Sequence, residues 1–459
     1  MPRYDLLIIG GGISGLSALH FTRTRAPHLS VHLLEADSRL GGTIGTDHIN
    51  GYSFDWGPNG FLDRLPLTLQ LCDELGLSTQ LERANANVSN RFILRGGRLR
   101  PVPLSPPAFL KSDILSWPGK LRIFGEPFAR KRPPGIDESI YDFGSRRIGR
   151  EAADYLIQPM VSGVYGGVAS RLSLKSCFPI MREMEDQYGS LVRAMFARAR
   201  KAKKEGRKAG GPSSPAGWLT SFRGGLYALI ERFREVYAGQ ITTGAEVVSV
   251  RKANGSFTVQ TTDGQSYEAK QVVLALPSYR ASSVVAGVSP DLASSLARIK
   301  YAPIAVVCMG FPETSVSRNL NGFGFLVPSK ENRRILGSIW TSSIFADRAP
   351  SGKVQFRTMV GGDGDHESAK MTDSDIISKV QKDLHDITGI TGAPDIVKLY
   401  RWTYGIPQYH IGHSEVMTAI ESELAKINGL HLAGNAYYGI GLNECVKQAD
   451  AVVTKLLKG

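Results

Sequence analysis

The order of apolar and polar positions divides the chain into three kinds of stretch. Short continuous apolar runs at residues 4–9 and 271–276 are typical of buried parallel strands. Further strands are predicted at residues 304–310, 324–327, 335–341 and 354–360. Helical spacing prevails at residues 115–128, 139–148, 152–161, 187–204 and 373–388. The pattern therefore predicts an α/β part and an α+β part, with a helical region inserted between them.

A glycine-rich turn follows the first apolar run. The spacing Gly10-x-Gly12-x-x-Gly15 leads into a predicted helix, and a second predicted strand ends at Glu35. Gly10 permits the tight turn, Gly12 lets a pyrophosphate approach the backbone, and Gly15 lets helix and strand pack closely. An acid about twenty residues after the last glycine suits a ribose hydroxyl. These features predict a Rossmann-like dinucleotide site, in a discontinuous domain that the strand at 271–276 rejoins.

Composition is that of a large globular protein. The 459 residues exceed what one core accommodates, and 42% are hydrophobic and 21% charged. Apolar runs are far shorter than the ~20 residues of a membrane-spanning helix. The first strand starts too early for a signal peptide, which predicts a cytoplasmic protein. Four cysteines are scattered without a CxxC pair, so neither a metal site nor a disulfide framework is expected.

A basic cluster lies at residues 193–208. It holds eight basic residues and one acid, a net charge of +7 out of the formal +13 of the whole chain. A solvated helix is one interpretation, and attraction to an anionic lipid surface is the other. Nucleic acid is not expected, because only Phe196 could stack among the charges. Residues 206–217 are rich in Gly, Pro and Ser and predict a flexible linker.

Several residues outside the dinucleotide motif are candidate ligands. Residues 90–103 predict a hairpin with a Gly-Gly turn, and Arg91 at its start could bind an anion or simply be solvated. The glycines within residues 163–167 either end a helix or bring the backbone close to a flat ligand. An apolar cavity, or ordinary core packing, is predicted for Phe323, Leu326, Trp340 and Phe345.

The segment after Glu35 favours FAD over NAD. Residues 35–42 contain Arg39, Gly41 and Gly42, and they resemble the N-terminal signature of the flavin monoamine-oxidase superfamily. In that superfamily a segment like Gly57-Pro58-Asn59 returns to the flavin ring. The expected cofactor-binding residues are Gly10, Gly12, Gly15, Glu35, Arg39, Gly41, Gly42, Gly57, Pro58, Asn59, Val247, Trp402, Gly434, Gly441, Leu442 and Asn443.

Taken together, the motifs resemble the oxygen-dependent protoporphyrinogen oxidases, most closely the bacterial type. The likeness rests on the glycine motif, residues 35–42, Gly57-Pro58-Asn59, Arg91 before residues 101–103, residues 163–167, residues 323–328 and the end from Gly434. The resemblance implies non-covalent FAD and oxidation of a porphyrinogen to a porphyrin, with O2 reduced to H2O2. It also implies three parts: an FAD domain, a mixed-sheet substrate domain and a helical membrane-associated domain.

The resemblance also implies roles for individual residues. Arg91 would pair with a substrate propionate, while Phe323, Leu326 and Phe345 would pack the macrocycle, and the backbone carbonyl of Gly163 would face a pyrrole N–H. Asn59 replaces an arginine of the mammalian form, so that arginine has no counterpart here. Flavin performs the redox chemistry, so the site needs a shaped apolar slot more than an acid–base pair.

The expected domain boundaries follow the changes in pattern. They are 1–90, 216–280 and 401–459 for the FAD domain, 91–100 and 281–400 for the substrate domain, and 101–215 for the helical membrane-binding domain. Expected partners are a porphyrinogen, O2 and the anionic inner face of the cell membrane, with a homodimer and the next enzyme of heme synthesis as further expectations. A coproporphyrinogen oxidase of the same fold, an amine or polyene oxidase, and a non-enzymatic FAD-bound scaffold are the alternatives.

Overall fold

The computed structural model describes residues 1–132, 135–204 and 217–458, with the backbone alone for 202–204. Its strands, in chain order, are β1 (Arg3–Ile9), β2 (Val31–Leu34), β3 (Thr46–Ile49), β4 (Tyr52–Asp55), β5 (Phe61–Leu62), β6 (Leu81–Arg83), β7 (Phe92–Arg95), β8 (Arg98–Pro101), β9 (Leu219–Phe222), β10 (Ile241–Thr242), β11 (Val247–Ala253), β12 (Ser256–Thr261), β13 (Ser266–Leu274), β14 (Lys300–Pro312), β15 (Gly324–Leu326), β16 (Ile335–Trp340), β17 (Lys353–Gly361), β18 (Ile396–Gln408) and β19 (Leu430–Leu432).

The helices stand between and after these strands. They are α1 (Ile13–Arg25), α2 (Pro66–Glu74), α3 (Pro106–Lys111), α4 (Trp117–Phe124), α5 (Ile140–Ile148), α6 (Arg150–Ala152), α7 (Gln158–Tyr165), α8 (Leu174–Cys177), α9 (Pro179–Tyr188), α10 (Leu191–Lys204), α11 (Tyr227–Val236), α12 (Ser278–Val285), α13 (Pro290–Ala297), α14 (Thr341–Ile344), α15 (Asp373–Thr388), α16 (His413–Ala425) and α17 (Leu442–Leu456). A π-helical turn, Ala153–Ile157, joins α6 to α7.

The first large sheet, called here the nucleotide sheet, has the strand order β10-β2-β1-β13-β12-β11, with β19 beside β13. Strand β1 lies parallel to both β2 and β13, with Leu7 opposite His32 on one side and Val272 on the other. Helices α1 and α17 cover one face of this sheet, and α12, α13 and α16 cover the other. The prediction of a parallel sheet assembled from distant segments is confirmed by this pairing.

The second large sheet, the substrate sheet, has the order β18-β14-β17-β16-β15-β7-β8. Helix α15 covers one face, where Val380 and Leu384 pack against Phe356 and Trp340. Because side chains alternate along a strand, the opposite face carries the neighbouring positions, such as Arg357. That opposite face is turned toward the segment that contains β4, as the hydrogen bonds described below show.

The helical region from α3 to α10 differs from the predictions at three points, one being the helix predicted over 152–161, which contains the π-helical turn and continues to Tyr165. The helix predicted over 187–204 begins only at Leu191, because Gly189 adopts a left-handed conformation (φ 68°) that ends α9. The helix predicted over 115–128 ends at Phe124 and is followed by a 3-10 turn, Glu126–Phe128. The end of the basic cluster, 205–208, and most of the predicted linker lie outside the described residues.

The end of the substrate sheet also differs from the predictions. Residues 405–409, where Gly405 and Pro407 favour a loop by local propensity, are largely strand, because β18 continues to Gln408, where it pairs with Lys300. Where Ala302 and Ile304 of β14 pair with Ile406 and Trp402, one residue of β14 stands against three of β18, so β18 bulges at residues 403–405. The predicted domain boundary at residue 400 therefore falls inside a strand.

Candidate functional site

The glycine turn after β1 is shaped as the motif predicts. Gly10 has φ 110°, which favours glycine, and a Cβ on Gly15 would lie only 1.9 Å from the Gly10 carbonyl oxygen. A Cβ on Gly12 would instead meet no atom within 4 Å. The turn thus packs tightly against α1 and leaves open space at Gly12, beside the helix N-terminus, where a phosphate would lie.

Glu35 lies beside this turn. One of its carboxylate oxygens accepts a hydrogen bond from the Gly11 N–H at 2.5 Å, and the other accepts one from the Asp37 N–H at 2.8 Å. The backbone carbonyl of Glu35 accepts from the Ala245 N–H at 2.8 Å, which brings the start of β11 and Val247 to the same end. This end of the turn suits the adenosine half of a dinucleotide, as the sequence predicted.

The second glycine pair, Gly41 and Gly42, also contacts the turn. The Gly41 N–H donates to the Gly11 carbonyl at 2.8 Å, and a Cβ on Gly42 would lie 3.7 Å from the Cα of Gly12. The guanidinium of Arg39 donates to the carbonyls of its own loop, including that of Gly42 at 2.6 Å. The structure therefore gives Arg39 a role in shaping the loop that meets the phosphate space.

From this loop a close contact leads to the Gly57 segment. A Cβ on Gly57 would lie 2.2 Å from the Thr43 carbonyl oxygen, so the two segments touch through their backbones. Beyond it, the Nδ2 of Asn59 is buried and has no hydrogen-bond partner among the described residues. The open space at Gly12 and the unsatisfied donor of Asn59 both fit a bound dinucleotide that extends in this direction.

The C-terminal segment completes this side of the site. Helix α17 begins at Leu442 with Gly441 as its N-cap, and Cys445 in its first turn contacts Ser14 of α1. The two helix N-termini therefore lie side by side. The amide of Asn443 does not face open space, since its Oδ1 accepts from Thr68 at 2.7 Å and its Nδ2 donates to the Leu62 carbonyl at 2.8 Å. We infer that any contribution of Asn443 to the cofactor is indirect, through α17.

Two further cofactor candidates lie close to this region. Gly434 follows β19 with φ 148°, and the indole N–H of Trp402 donates to the Trp56 carbonyl at 3.4 Å. Burial raises the pKa of the Cys445 thiol to about 11, which makes it a weak nucleophile at neutral pH. That pKa is consistent with non-covalent FAD, which stays a prediction.

Three of the predicted substrate residues lie on or beside the face of the substrate sheet that is opposite α15. Arg91 extends β7, since its carbonyl accepts from the Val102 N–H at 2.7 Å, and by alternation it shares a face with Ile93. Ile93 lies opposite Leu326 in the parallel pairing of β7 with β15. A Cβ on Gly163 of α7 would lie 2.7 Å from Leu326 Cδ2, so helix and sheet are in contact at this point.

Phe323 and Phe345 lie to one side of that contact. The guanidinium of Arg91 stacks 4.7 Å above the Phe323 ring, and burial lowers the pKa of Arg91. Phe345 has no exposed surface and packs behind Phe323 with Ile344. Phe323 therefore presents a surface that Phe345 does not, and the predicted contact of Phe345 with a macrocycle stays a prediction.

Sequence reasoning missed two residues of this face. Met359 is half-buried and lies opposite Gly337, the residue that also pairs with Leu326. Arg357, two residues earlier on β17, donates from Nε to the Asp55 carbonyl at 3.2 Å and from a terminal nitrogen to the Gly57 carbonyl. Only the alternation of β17 could have placed them on this face, and no motif marks them.

Comparison with known proteins gives the same assignment along the whole chain. A family described as flavin containing amine oxidoreductase matches residues 13–457. A chloroplastic protoporphyrinogen oxidase of Oryza sativa is 33% identical over 97% of this chain and 86% of its own length. The coproporphyrinogen III oxidase of Bacillus subtilis is 29% identical over 98% of this chain and 97% of its own.

Solved structures agree with the sequence comparison. A crystal structure from Exiguobacterium sp. 255-15 superposes with a TM-score of 0.83 at 28% identity, covering 100% of this chain and 99% of that one. A UDP-galactopyranose mutase, at 16% identity and a TM-score of 0.74, shares the fold alone. The glycine turn, Glu35 and the second glycine loop fit FAD as the cofactor, as the family requires. The chain belongs to the flavin containing amine oxidoreductase family and is an FAD-dependent oxidoreductase.

Proposed function

We propose that this protein oxidises a porphyrinogen to the corresponding porphyrin, with protoporphyrinogen IX as the substrate and O2 as the electron acceptor. The observation that carries the proposal is the likeness, over 97% of the chain, to a relative of that activity, at 33% identity. The open face formed by Arg91, Leu326 and Gly163 supports it, because it combines a flat apolar contact with a guanidinium.

The chain's own residues bind and orient the substrate. When bound, FAD supplies the acceptor for the hydride that leaves a meso carbon of the macrocycle. Leu326 and the side-chain-free surface of Gly163 form an apolar contact that suits the flat ring system. Arg91 holds a propionate bidentately, so that the macrocycle is fixed in one orientation. Burial of the rings excludes water, and no acid–base pair is required.

Coproporphyrinogen III is the second candidate substrate. Two bacterial relatives carry that name, and each matches this chain over nearly its full length, 97% for the Bacillus subtilis protein and 99% for the Staphylococcus aureus protein. The two substrates differ in the number of propionates, four against two. A slot that accepts coproporphyrinogen must therefore desolvate or bind two more carboxylates, which disfavours it unless further cations or water face those groups.

The discriminating experiment follows flavin absorbance under anaerobic conditions. The purified yellow protein is mixed separately with protoporphyrinogen IX and coproporphyrinogen III, and the bleaching rate is measured against substrate concentration. We expect faster bleaching per substrate concentration with protoporphyrinogen IX. Faster bleaching with coproporphyrinogen III would change the assigned substrate but leave the assigned reaction, oxidation of a porphyrinogen, unchanged. No bleaching by either, with bleaching by an amine, would overturn the proposal.

We also propose that the helical region attaches peripherally to an anionic membrane. In the described part of the chain, no helix combines the length and apolar character that crossing a bilayer requires. Large apolar side chains with more than half of their surface exposed are nevertheless concentrated here, namely Leu104, Trp117, Leu121, Phe124, Phe128, Ile136, Met195 and Phe196. Exposed basic residues lie among them, including Arg193, Arg198 and Arg200 of α10.

Vesicle binding tests the attachment. Binding to vesicles that contain anionic lipid should exceed binding to neutral vesicles, and it should weaken as salt shortens the Debye length to about 3 Å at 1 M. Replacing Trp117 and Leu121 by Ser should weaken binding at every salt concentration, because these side chains add apolar contact. The same substitution at Val248, which is 47% exposed but lies on β11 of the nucleotide sheet, is the matched control. Equal binding to both kinds of vesicle, or none, would contradict attachment through charge.

A homodimer and a contact with the next enzyme of heme synthesis remain predictions. The same exposed side chains could bind a second protein surface instead of lipid, and the vesicle measurement distinguishes between a lipid surface and a protein surface. If the substitution of Trp117 and Leu121 abolishes vesicle binding but does not change the sedimentation of the protein without vesicles, that result would support a lipid surface.

A further inference from the structure

We infer that Arg357 is the fixed positive charge that stabilises the FAD ring once it is reduced. Two electrons and one proton enter the ring on reduction as a hydride, so the ring gains one negative charge. O2 later removes the two electrons and that proton, and with a second proton from solvent it leaves as H2O2. The inference rests on FAD as the cofactor and is independent of which porphyrinogen is the substrate.

Arg357 is a buried cation that the protein itself does not neutralise directly. It is 5% exposed, and its Nε and one terminal nitrogen donate to two backbone carbonyls, those of Asp55 and Gly57. Among the described residues no carboxylate lies within the 4.0 Å of its guanidinium that would make an ion pair. Burial accordingly lowers the pKa of Arg357.

The carboxylate that acts on Arg357 from a greater distance is already engaged elsewhere. Asp55 accepts hydrogen bonds from Thr46 Oγ1 at 2.7 Å and from the Leu226 N–H at 3.1 Å. Its other oxygen lies 3.6 Å from the Nε of Arg348, which is fully buried. A buried cation without a direct counter-ion is costly, so Arg357 indicates that a bound group supplies negative charge there.

The position of Arg357 identifies that group as the flavin end of the dinucleotide. Glu35 marks the adenosine side of the glycine turn through the Gly11 N–H, whereas the second glycine loop binds the Gly11 carbonyl and approaches the Cα of Gly12. From that loop the contact of Thr43 with Gly57 leads directly to the carbonyl that Arg357 binds. An extended dinucleotide whose phosphates lie at Gly12 therefore carries its redox ring toward Arg357.

The same strand provides a neutral control. Gln355 lies two residues before Arg357 on the same face of β17, is 1% exposed, and donates from Nε2 to the Ser53 carbonyl at 2.8 Å. Like Arg357, it ties the substrate sheet to the backbone of the β4 segment. Unlike Arg357, it carries no charge. Replacing Gln355 therefore tests only the effect of losing the hydrogen bond between the substrate sheet and the β4 segment.

The experiment measures the two-electron reduction potential of the FAD-loaded protein at fixed pH, without substrate. For Arg357→Gln we expect the equilibrium constant for reduction to fall about 10- to 100-fold, the effect of one hydrogen bond to a charged group. That change corresponds to a potential about 30–60 mV more negative. Arg357→Lys keeps the positive charge and loses only the planar guanidinium with its several donors, so its reduction potential should stay close to that of the parent protein. Gln355→Leu should also leave the potential unchanged.

Three results would overturn the inference. The potential of Arg357→Gln could equal that of the parent while the KM for porphyrinogen rises, which would make a substrate carboxylate the counter-ion. Arg357→Lys could shift the potential as far as Arg357→Gln, which would assign the effect to packing. Gln355→Leu could produce the same shift, which would assign it to the tie between the sheet and β4. If Arg357→Gln does not bind FAD, the reduction potential of Arg357→Lys decides alone. A large shift of the potential in that variant, which keeps the positive charge, would contradict a role for the charge.

Discussion

The nucleotide sheet and the substrate sheet each have seven strands, but they present their ligand sites in different ways. At the nucleotide sheet the site is mainly backbone, with a glycine turn, open space at Gly12 and helix N-termini. At the substrate sheet the proposed site consists of side chains on one face, among them Arg91, Leu326 and Arg357. A site built from backbone is disrupted by any atom added at its glycines, whereas a site built from side chains depends on the chemical identity of each side chain. The two sites should therefore fail in different ways when mutated.

The largest effect is expected at Gly15. A Cβ there would lie 1.9 Å from a backbone oxygen, so Gly15→Ala must separate α1 from β1, at a cost of about 3 kcal/mol or more. Gly12→Ala should leave the FAD-free protein as stable as the parent, because its Cβ meets nothing within 4 Å and Gly12 has φ −75°. It should nevertheless weaken FAD binding about 10- to 100-fold by filling the phosphate space. Denaturant unfolding of the FAD-free proteins and FAD titration measure the two effects separately. Equal stability loss in both variants would contradict the distinction.

Next in size is the loss of the Arg91 guanidinium. Hydrogen bonds to charged groups contribute about 1.5–3 kcal/mol, so Arg91→Ala should lower kcat/KM roughly 10- to 150-fold. FAD content should not change, since Arg91 precedes β7, which β15 and β16 separate from Arg357 on β17. Arg91→Lys should recover only part of the activity, because it keeps the charge and loses the bidentate geometry. Steady-state kinetics on folded, yellow protein test this, and parent-like kinetics for both variants would remove Arg91 from the site.

A smaller effect is expected where α7 meets the substrate sheet. Gly163→Ala would place a Cβ 2.7 Å from Leu326 Cδ2, the flexible end of a side chain, so Leu326 should shift into the slot. We expect kcat/KM to fall about 5- to 30-fold, as for a strain of ~1–2 kcal/mol. Adding Leu326→Val should restore part of that loss, because it removes the crowded methyl group. A double-mutant cycle on kcat/KM measures the coupling, and strictly additive effects would show that the two residues do not share the slot.

The smallest effect is expected at the contact between Asp363, which follows β17, and the helical region. The Asp363 N–H donates to the Gly166 carbonyl at 2.7 Å, and its carboxylate accepts from His410 and Arg171, both at 3.2 Å. The hydrogen bond from His410 is the main cause of the lowered pKa of Asp363. Asp363→Asn should therefore destabilise the protein by about 1–2 kcal/mol at neutral pH.

The pH dependence of that effect has a definite sign. Since the pKa of Asp363 is depressed in the folded state, its contribution is present above the unfolded value, about 3.9, and is lost as the pH falls through the folded value. Parent and variant should therefore differ at pH 5 and converge as the pH falls below about 4. Glu367→Gln, at an exposed pair with Lys370, is the control and should change little. A difference that persists at the lowest pH at which both proteins stay folded would contradict the assignment.

The same contrast explains what the sequence could predict. A backbone site needs particular glycines at fixed spacing, so Gly10, Gly12 and Gly15 predicted the turn, and the helical period of α15 predicted its bounds at Asp373 and Thr388. The family assignment and FAD are confirmed by the comparisons. At the substrate sheet, alternation predicts a strand but cannot show which face is open. Arg357 was missed because the carbonyls it binds are 300 and 302 residues away.

The strand β18 shows a second limit of sequence reasoning. Gly405 and Pro407 are turn-forming residues by local propensity, and they predicted a loop. The structure keeps both in the strand, because Pro407 lies opposite Tyr301 and a bulge in β18 at residues 403–405 takes up the irregularity. Long-range pairing prevails there over local preference, and no pattern within the segment indicates it.

The three-part construction of the nucleotide sheet also has a consequence for how the chain folds during synthesis. Strand β1 cannot be enclosed until β13 and β19 exist, and α1 acquires its partner α17 only when the final helix is made. At 5–20 residues per second, roughly 20–90 s separate the emergence of the glycine turn from that of β19. During that interval the apolar residues of β1 and α1 lack their native neighbours and are open to aggregation. We therefore expect the nascent chain to depend on chaperones, and FAD to bind only after release from the ribosome.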